Sequence, residues 1–453
     1  MDRPESINVA EVVDRSRIGA FHIGVFTLCA ACLILDGFDV QAVGFVAPDI
    51  RKELMLDATQ LSYVTTSGLV GILIGALFFG SLGDRMGRRP MLIIATICFS
   101  ILTLLTGFAG SLSQLVVLRV LAGIGLGGIM PNLVALVGEY SPKRWRVLVM
   151  MLIQNGFNLG AVLGGVVAAQ LVPRFGWRAV FYFGGIIPLV IALFMVFFLP
   201  ESLQFLVLRT KDKGAIRRWL GRIDPTLQAP SSAVYVVPEK PREGVPMTRL
   251  FEEGRATGTT LLWVINFMNI LNLYFLAQWL PVVFRDAGFS QTNAIWVGTT
   301  LQIGGFVGTL LLGWWISLVG YVRVMTVSFA VGAIAIALIG QPWSFGVLFA
   351  IVFVAGFCIV GGQGALNALA AAFYPTDLRS TGIGYALGIG RVGGIVGQPI
   401  AGFLIDRGLL ARQLFLAASG PAVVSAAAMF ALRRRVRAQG QNAAAQEVAV
   451  AGH

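Results

Sequence analysis

The sequence predicts an all-α integral membrane protein with twelve transmembrane helices, arranged as two parallel six-helix repeats. Three observations carry this prediction: the composition, the apolar stretches and an internal repeat. Of the 453 residues, 57% are hydrophobic and only 12% are charged, whereas soluble domains normally carry about 25% charged residues. The mean hydropathy of +0.80 requires a surface that faces lipid, because a water-facing surface is populated with charged side chains.

The apolar stretches are long enough to cross a bilayer, which takes about 20 residues in a helix. One longer polar segment, 200–256, contains several prolines and is predicted to be a cytoplasmic linker with short surface helices. It separates an N-terminal six-helix half, 1–199, from a C-terminal half with a basic tail, 257–453. The predicted spans are 21–46, 61–83, 90–109, 112–138, 147–171, 178–199, 257–284, 294–318, 322–340, 343–372, 381–406 and 410–432.

The net charge of +12 follows membrane topology and does not indicate nucleic-acid binding. With a cytoplasmic N terminus, 25 of the 34 Lys and Arg residues fall on the cytoplasmic side, 7 fall on the other side, and Arg119 and Arg391 lie inside spans. Basic residues concentrate in cytoplasmic loops. We therefore predict a multi-pass protein of the inner (plasma) membrane with both termini in the cytoplasm. Its partner is the lipid bilayer, and no obligate protein partner is evident.

The internal repeat appears when the first half is shifted by 233 residues, so that Pro48 falls on Pro281 and Gly71 on Gly304. Parallel repeats of this kind place the substrate near the midplane between the halves, which rock against each other. A symmetric scaffold does not need charge in one half only, so we expect such charges to serve function. They are Asp36, Asp39 and Arg119, opposite Asn269, Asn272 and Val352, and Arg391, opposite Asn158.

The loop after the second span carries the most specific motif. It runs Gly80-Ser-Leu-Gly83-Asp84-Arg85-Met-Gly87-Arg88-Arg89 and resembles the signature loop of the major facilitator superfamily, G-x-x-x-D-R-x-G-R-R. The segment Asp36-Gly37-Phe38-Asp39 resembles the D-G-x-D hallmark of the aromatic acid/proton symporter family, as do Tyr374-Pro375 and Gly390-Arg391 with their neighbours. The resemblance covers essentially the whole chain and implies the major facilitator fold.

Two acids in the first span and one arginine in the fourth are the candidate proton-coupling residues. Asp36 and Asp39 are three residues apart and share one helix face. Asp36 lies about 22 Å from the cytoplasmic end of its span and Arg119 roughly 10 Å from the outer end of its own, so both lie near one level of a core about 30 Å thick. Ionisable groups at such depth are costly and indicate function. The alternative is a permanent ion pair that only fixes packing.

Arg391 is the candidate carboxylate-binding residue. It lies roughly 15 Å into its span, near the midplane, and no acidic residue stands near it in that span. A guanidinium matches a carboxylate through two parallel hydrogen bonds; the alternative is a structural partner on another helix. The residues expected to receive an aromatic ring and its hydroxyl, or else to serve packing, are Phe38, Asn158, Asn269, Asn272, Tyr274, Gln278, Trp279 and Tyr385.

The signature loop of similar proteins closes the inner gate by pairing between the halves, and ordinary positive-inside anchoring is the alternative here. The second copy of the loop is degenerate, with Ser317 in place of Asp84 and Tyr321 in place of Arg88. The charge cluster of the signature loop is therefore expected on the first half only. The residues assigned to gating are Gly80, Asp84, Arg85, Arg88, Glu139 and Arg379.

The resemblance implies a proton-coupled symporter that imports a small aromatic carboxylate of the hydroxybenzoate type by alternating access. A proton-driven efflux antiporter and a transport-like receptor stay open as alternatives. An enzyme is disfavoured because the only histidines are His22 and His453 and no span carries a catalytic or metal-ligand set. A primary pump is disfavoured because no lysine follows a glycine, as in the G-K-[ST] phosphate loop. No cofactor and no metal are predicted.

Overall fold

The computed structural model describes residues 6–210, 212–225, 233–237, 247–375 and 378–451, without the side chains of Ser81, Asp84, Val147, Ser380 and 433–451. These residues are almost entirely helical. Two short parallel strands, β1 (Ser6–Asn8) and β2 (Val234–Val236), pair with each other. The helices are α1 (Val9–Arg15), α2 (Ala20–Glu53), α3 (Ala58–Met86), α4 (Arg88–Thr106), α5 (Leu112–Gly127), α6 (Ile129–Tyr140), α7 (Lys143–Phe175), α8 (Arg178–Phe198), α9 (Leu203–Phe205), α10 (Lys213–Ile223), α11 (Ala256–Asp286), α12 (Gln291–Val319), α13 (Tyr321–Ile339), α14 (Phe345–Phe373), α15 (Arg379–Asp406) and α16 (Ala411–Ala451).

Twelve helical spans within the described residues are long and apolar enough to cross a membrane. They are α2, α3, α4, α5 continued by α6, α7, α8 and α11 to α16. The predicted all-α fold with twelve spans is confirmed. An even number of spans returns the chain to the side on which it began, which we call the N-side; the opposite side is the far side.

The internal repeat is reproduced in the helix contacts, which confirms the predicted pair of six-helix repeats. A Cβ built on Gly71 would lie 2.2 Å from the carbonyl oxygen of Val120, and a Cβ on Gly304 would lie 2.2 Å from that of Phe353. Only glycine permits backbones to approach so closely. Further contacts related by the same shift are Gly75–Ile124 with Gly308–Phe357 and Gly160–Ile34 with Gly393–Phe267.

The chain packs as two compact units. The first comprises Met1–Ala42 and Ser67–Glu243, and the second comprises Val43–Thr66 and Gly244–His453. The far-side ends of α2 and α3 therefore belong to the second unit, together with α11 to α16. The division at 1–199, 200–256 and 257–453 stays a prediction.

Candidate functional site

A buried ion pair joins α2 to α5 in the first unit. Arg119 Nη2 lies 2.7 Å from Asp39 Oδ2, and Arg119 Nη1 lies 3.3 Å from Asp39 Oδ1. The Thr103 hydroxyl donates to Asp39 Oδ1 over 2.8 Å. Asp39 is 1% exposed and Arg119 is 2% exposed. Charges removed from water are tolerated when they are paired and hydrogen-bonded. The burial of each of these two charges is therefore stabilised by the other.

Asp36 lies one turn before Asp39 and is also buried, with 6% of its surface exposed. Depth alone placed Asp36 level with Arg119, but the contact in the structure is made by Asp39. Between the two acids, a Cβ on Gly37 would lie 2.0 Å from the carbonyl oxygen of Phe157 on α7. The glycine of the D-G-x-D segment thus allows α2 and α7 to touch at the level of the acids. The proton-coupling role of Asp36, Asp39 and Arg119 stays a prediction.

Two neighbours of the Asp39–Arg119 pair, Thr103 and Phe181, were not predicted from the sequence. The guanidinium lies 5.7 Å from the ring centre of Phe181, a distance at which a cation is attracted to an aromatic face. Its Nε has no hydrogen-bond partner among the described residues. Thr103 and Phe181 carry no sequence signal, because Thr and Phe are ordinary residues in apolar spans.

Arg391 is half-buried on α15 and makes no hydrogen bond or ion pair with any residue in the described part of the chain. Gln398 and Gly402 follow it at intervals of seven and eleven residues, which is one helix face. At the far side this face meets α3. Thr65 Oγ1 donates to Gln398 Oε1 over 3.3 Å, and a Cβ on Gly402 would lie 2.6 Å from the Ala58 carbonyl oxygen. Arg391 therefore lies on the face of α15 that packs on α3, but closer to the N-side.

Two of the residues expected around a substrate have evident packing partners. Phe38 is buried with its ring centre 5.5 Å from that of Phe183. Asn272 is fully buried; with its amide oriented to suit its neighbours, it donates to the Ala418 carbonyl over 2.8 Å and accepts from the backbone of α16. These contacts account for both side chains without a ligand.

The remaining expected residues lie in other surroundings. Asn158 Nδ2 donates to Asn155 Oδ1 over 3.0 Å. Asn269 Nδ2 donates to Gln363 Oε1 over 2.9 Å, in an amide network between α11 and α14. Tyr385 is 40% exposed and stacks at 6.1 Å on Trp263. The other three lie on α11: Tyr274, which packs on α15, and the buried Gln278 and Trp279. Their substrate-binding roles stay predictions.

A charge cluster lies at the N-side of the first unit. Arg88 forms an ion pair with Glu139, whose other oxygen accepts from the Ser202 hydroxyl over 2.7 Å. Glu201 was not identified from the sequence, yet its carboxylate accepts from the backbone N–H of Arg88 over 2.9 Å and of Arg89 over 3.1 Å. It thereby occupies the N terminus of α4, where a negative charge is stabilised.

The remaining gating candidates are Gly80, Asp84, Arg85 and Arg379. Arg85 and Arg379 are exposed, and a side chain on Gly80 would meet no atom within 4 Å. The Asp84 side chain lies outside the described residues. The gating role of the whole set stays a prediction.

A second polar cluster lies at the far side of the second unit and was missed by the sequence analysis. Asp406, at the end of α15, accepts hydrogen bonds from Ala58 N over 2.9 Å, Thr59 N over 2.7 Å and Thr59 Oγ1 over 2.6 Å. It caps the first turn of α3, where backbone N–H groups lack helical partners. Arg51 of α2 forms a 2.6 Å ion pair with Asp286 of α11. These contacts join the far-side ends of α2 and α3 to α11 and α15 within the second unit.

We expect Asp406→Ala to favour opening of the far side. A helix cap of this kind contributes about 0.5–2 kcal/mol, so its loss should raise the open population by a factor of about 2–30. The reporter is a cysteine at Ser62, which is fully buried and lies beside Gly402. A membrane-impermeant maleimide should label Ser62→Cys faster in the Asp406→Ala background.

The matched control is Asp57→Ala. Asp57 also sits at the start of α3, but it caps the N–H of Gln60 in its own helix over 2.6 Å. Its loss weakens the same helix end without touching α15. Equal labelling rates in the Asp406→Ala and Asp57→Ala backgrounds would show that Asp406 does not hold α3 against α15.

The chain resembles known proteins over nearly its whole length. Residues 29–230 and 262–451 match the model of the Major Facilitator Superfamily. The gallate transporter of Pseudomonas putida is 37% identical over 94% of this chain and 95% of its own. The 4-hydroxybenzoate transporter of the same species is 35% identical over 93% and 94%, and the benzoate transport protein of Acinetobacter baylyi is 33% identical over 95% and 93%.

Solved structures share the fold. A D-xylose-proton symporter superposes with a TM-score of 0.73 at 17% identity, covering 90% of this chain and 97% of its own. A bacterial homologue of the human lysosomal transporter Spinster superposes with a TM-score of 0.72 at 18% identity, covering 92% and 98%.

Proposed function

The chain belongs to the Major Facilitator Superfamily, whose members are transporters and not enzymes, and from this premise we propose that it imports a small aromatic carboxylate together with a proton by alternating access. The relatives named above transport gallate, 4-hydroxybenzoate and benzoate by their names. These three anions share one carboxylate on a single ring. Similarity over more than nine tenths of the chain supports the same substrate class here.

The observation that carries the proposal is the position of Arg391. It is a half-buried guanidinium in a membrane span that makes no ion pair or hydrogen bond with the described residues. A cation at such depth is costly without a counter-ion. A substrate carboxylate supplies that counter-ion and matches the two parallel N–H groups of the guanidinium. The proposal therefore assigns the carboxylate to Arg391 and the ring to the neighbouring apolar surface.

The Asp39–Arg119 pair supports proton coupling. Protonation of Asp39 would remove the charge that neutralises Arg119, and a buried charge without its partner is strongly destabilising. The protonated state therefore favours a different arrangement of α2 and α5 from the charged state. Asp36, one turn away and also buried, is the second carboxylate of this proposed coupling site. We place both termini in the cytoplasm and the protein in the inner membrane, as the distribution of basic residues favours.

The test is uptake into proteoliposomes that contain the purified protein, with labelled 4-hydroxybenzoate, gallate and benzoate as probes. An outside-acid pH gradient should drive accumulation above the external concentration, and a protonophore should abolish it. Accumulation that requires an inside-acid gradient would identify an exchanger. Saturable binding without accumulation under either gradient would identify a receptor.

A further inference from the structure

We propose that Gln398 is a specificity-determining residue that binds a ring hydroxyl of the transported acid, at the end of the ligand opposite its carboxylate. The inference rests on the proposed function, in which Arg391 holds the carboxylate. The inference goes beyond that function because it assigns to Gln398 the preference of the protein among aromatic acids.

The Gln398 amide is fully buried but only half satisfied. Its Oε1 accepts from Thr65 Oγ1 over 3.3 Å, and its Nε2 has no acceptor among the described residues. In this orientation the amide nitrogen is therefore the unpaired polar atom of Gln398 among the described residues. Most buried polar side-chain atoms in proteins have a hydrogen-bond partner. The free end of this amide is therefore suited to a ligand group.

The position of Gln398 relative to Arg391 defines the kind of ligand. The two residues are seven positions apart on α15, which places them on one face about 10 Å apart along the helix axis. This interval is several times a hydrogen-bond length of about 3 Å. A ligand whose carboxylate is bound by Arg391 would therefore approach Gln398 with its opposite end. A planar ring with polar groups at both ends fits that arrangement.

An aromatic ring lies against α15 between the two residues. Gly394 lies midway between them, and a Cβ there would come within 2.6 Å of the ring of Tyr274. The Tyr274 ring therefore packs directly on α15 between the two polar side chains. Aromatic rings favour contact with other rings in edge-to-face or offset geometry, so this surface suits the ring of the ligand.

The repeat indicates that the fold does not need an amide at this position. The residue of the first half that corresponds to Gln398 is Gly165, and the residue that corresponds to Arg391 is Asn158. Both polar groups on this face of α15 thus depart from the symmetric scaffold. A shared departure at two positions of one helix face supports a shared ligand.

A phenolic hydroxyl suits the free end of the amide because it both donates and accepts. It would accept from Nε2 or donate to Oε1, according to the orientation of the amide. A neutral hydrogen bond to a buried partner should improve affinity about fivefold over the unsubstituted ring. The expected ligands are hydroxybenzoates, with benzoate bound more weakly.

The experiment is a set of binding titrations with the full-length protein in lipid nanodiscs. The probes are benzoate, 3-hydroxybenzoate and 4-hydroxybenzoate, measured for the parent, Gln398→Leu and Gln398→Asn. The parent should prefer the better hydroxybenzoate about fivefold over benzoate. Gln398→Leu should lose that preference and keep its benzoate affinity. The shorter Gln398→Asn amide should retain part of the preference, and it provides a second variant if the leucine protein does not fold.

The control is Gln413→Leu, the same change at the exposed far-side start of α16, where Gln413 accepts from Leu410 N over 3.1 Å. It should keep the parent preference. An undiminished hydroxyl preference in Gln398→Leu, or in Gln398→Asn if only that variant folds, would overturn this inference and leave the proposed function standing. Failure of the parent to bind any of the three acids would instead overturn the proposed function, and the inference with it.

Discussion

Replacing Asp39 with Asn should abolish uphill uptake of the aromatic acid and leave downhill exchange. The asparagine oxygen, placed at the position of Oδ1, still accepts hydrogen bonds from Thr103 and from Arg119 Nη1, which lie 2.8 Å and 3.3 Å from that oxygen in the parent. It cannot carry a proton or neutralise the guanidinium. We therefore expect accumulation under an outside-acid gradient to fall to the equilibrium level. The measurement compares gradient-driven uptake with counterflow exchange in the same proteoliposomes.

Two controls separate coupling from folding. Thr103→Val removes one hydrogen bond from Asp39 but keeps the ion pair, and it should retain uphill uptake at a reduced level. The double variant Asp39→Asn with Arg119→Gln removes both charges, so it avoids the cost of roughly 3–5 kcal/mol for a buried charge without its partner. It should fold well and remain uncoupled. Normal accumulation by Asp39→Asn would exclude Asp39 as the proton carrier and leave Asp36 as the candidate.

Replacing Arg391 with Ala should abolish the preference for an aromatic acid over its uncharged amide. Loss of a charge-assisted hydrogen bond costs roughly 1.5–3 kcal/mol, which corresponds to about a tenfold to hundredfold loss of affinity for the acid. Binding of the amide should change little. The measurement is a pair of titrations, benzoate against benzamide, for the parent and for each variant.

Two further variants, Arg391→Lys and Arg412→Ala, provide the controls. Arg391→Lys keeps the charge but loses the planar pair of donors, so it should also bind the acid poorly. Arg412→Ala removes an exposed arginine at the start of α16 and should bind like the parent. The position itself tolerates a neutral residue, because Asn158 occupies it in the first half. If Arg391→Ala distinguishes acid from amide as the parent does, the carboxylate is bound elsewhere, and Arg119 is the next candidate.

Local sequence was sufficient for the spans and the repeat. A stretch of apolar residues inserts into the membrane because of its own hydropathy, independently of its neighbours in space. The repeat could be detected because each close helix contact requires a small residue at a fixed position, as at Gly71 and Gly304. The family was identifiable because the signature loop and the D-G-x-D segment are short and continuous in the chain.

The sequence narrowed the ion pair to two acids but did not choose between them. Asp36 and Asp39 differ by about 4.5 Å in depth, which is within the uncertainty of any span boundary. The choice depends on the rotation of α2 about its axis, which is set by its packing against α7 at Gly37 and against α5. The aromatic residues were the weakest of the site predictions, because a ring such as Phe38 serves packing and ligand contact equally well in an apolar span.

The sequence by itself thus determined the twelve spans, their pseudo-symmetry and the small set of charges inside them, because each depends on residues close together in the chain. Only the tertiary structure determined the partner of each polar group. Asp406 caps α3 across 348 positions of sequence, and Glu201 caps α4 across 113. Such pairs leave no local sequence pattern, because a carboxylate at the end of one helix becomes a cap only when folding places the start of another helix beside it. The half-satisfied amide of Gln398 became recognisable for the same reason: whether a buried polar atom has a partner is a property of the folded chain.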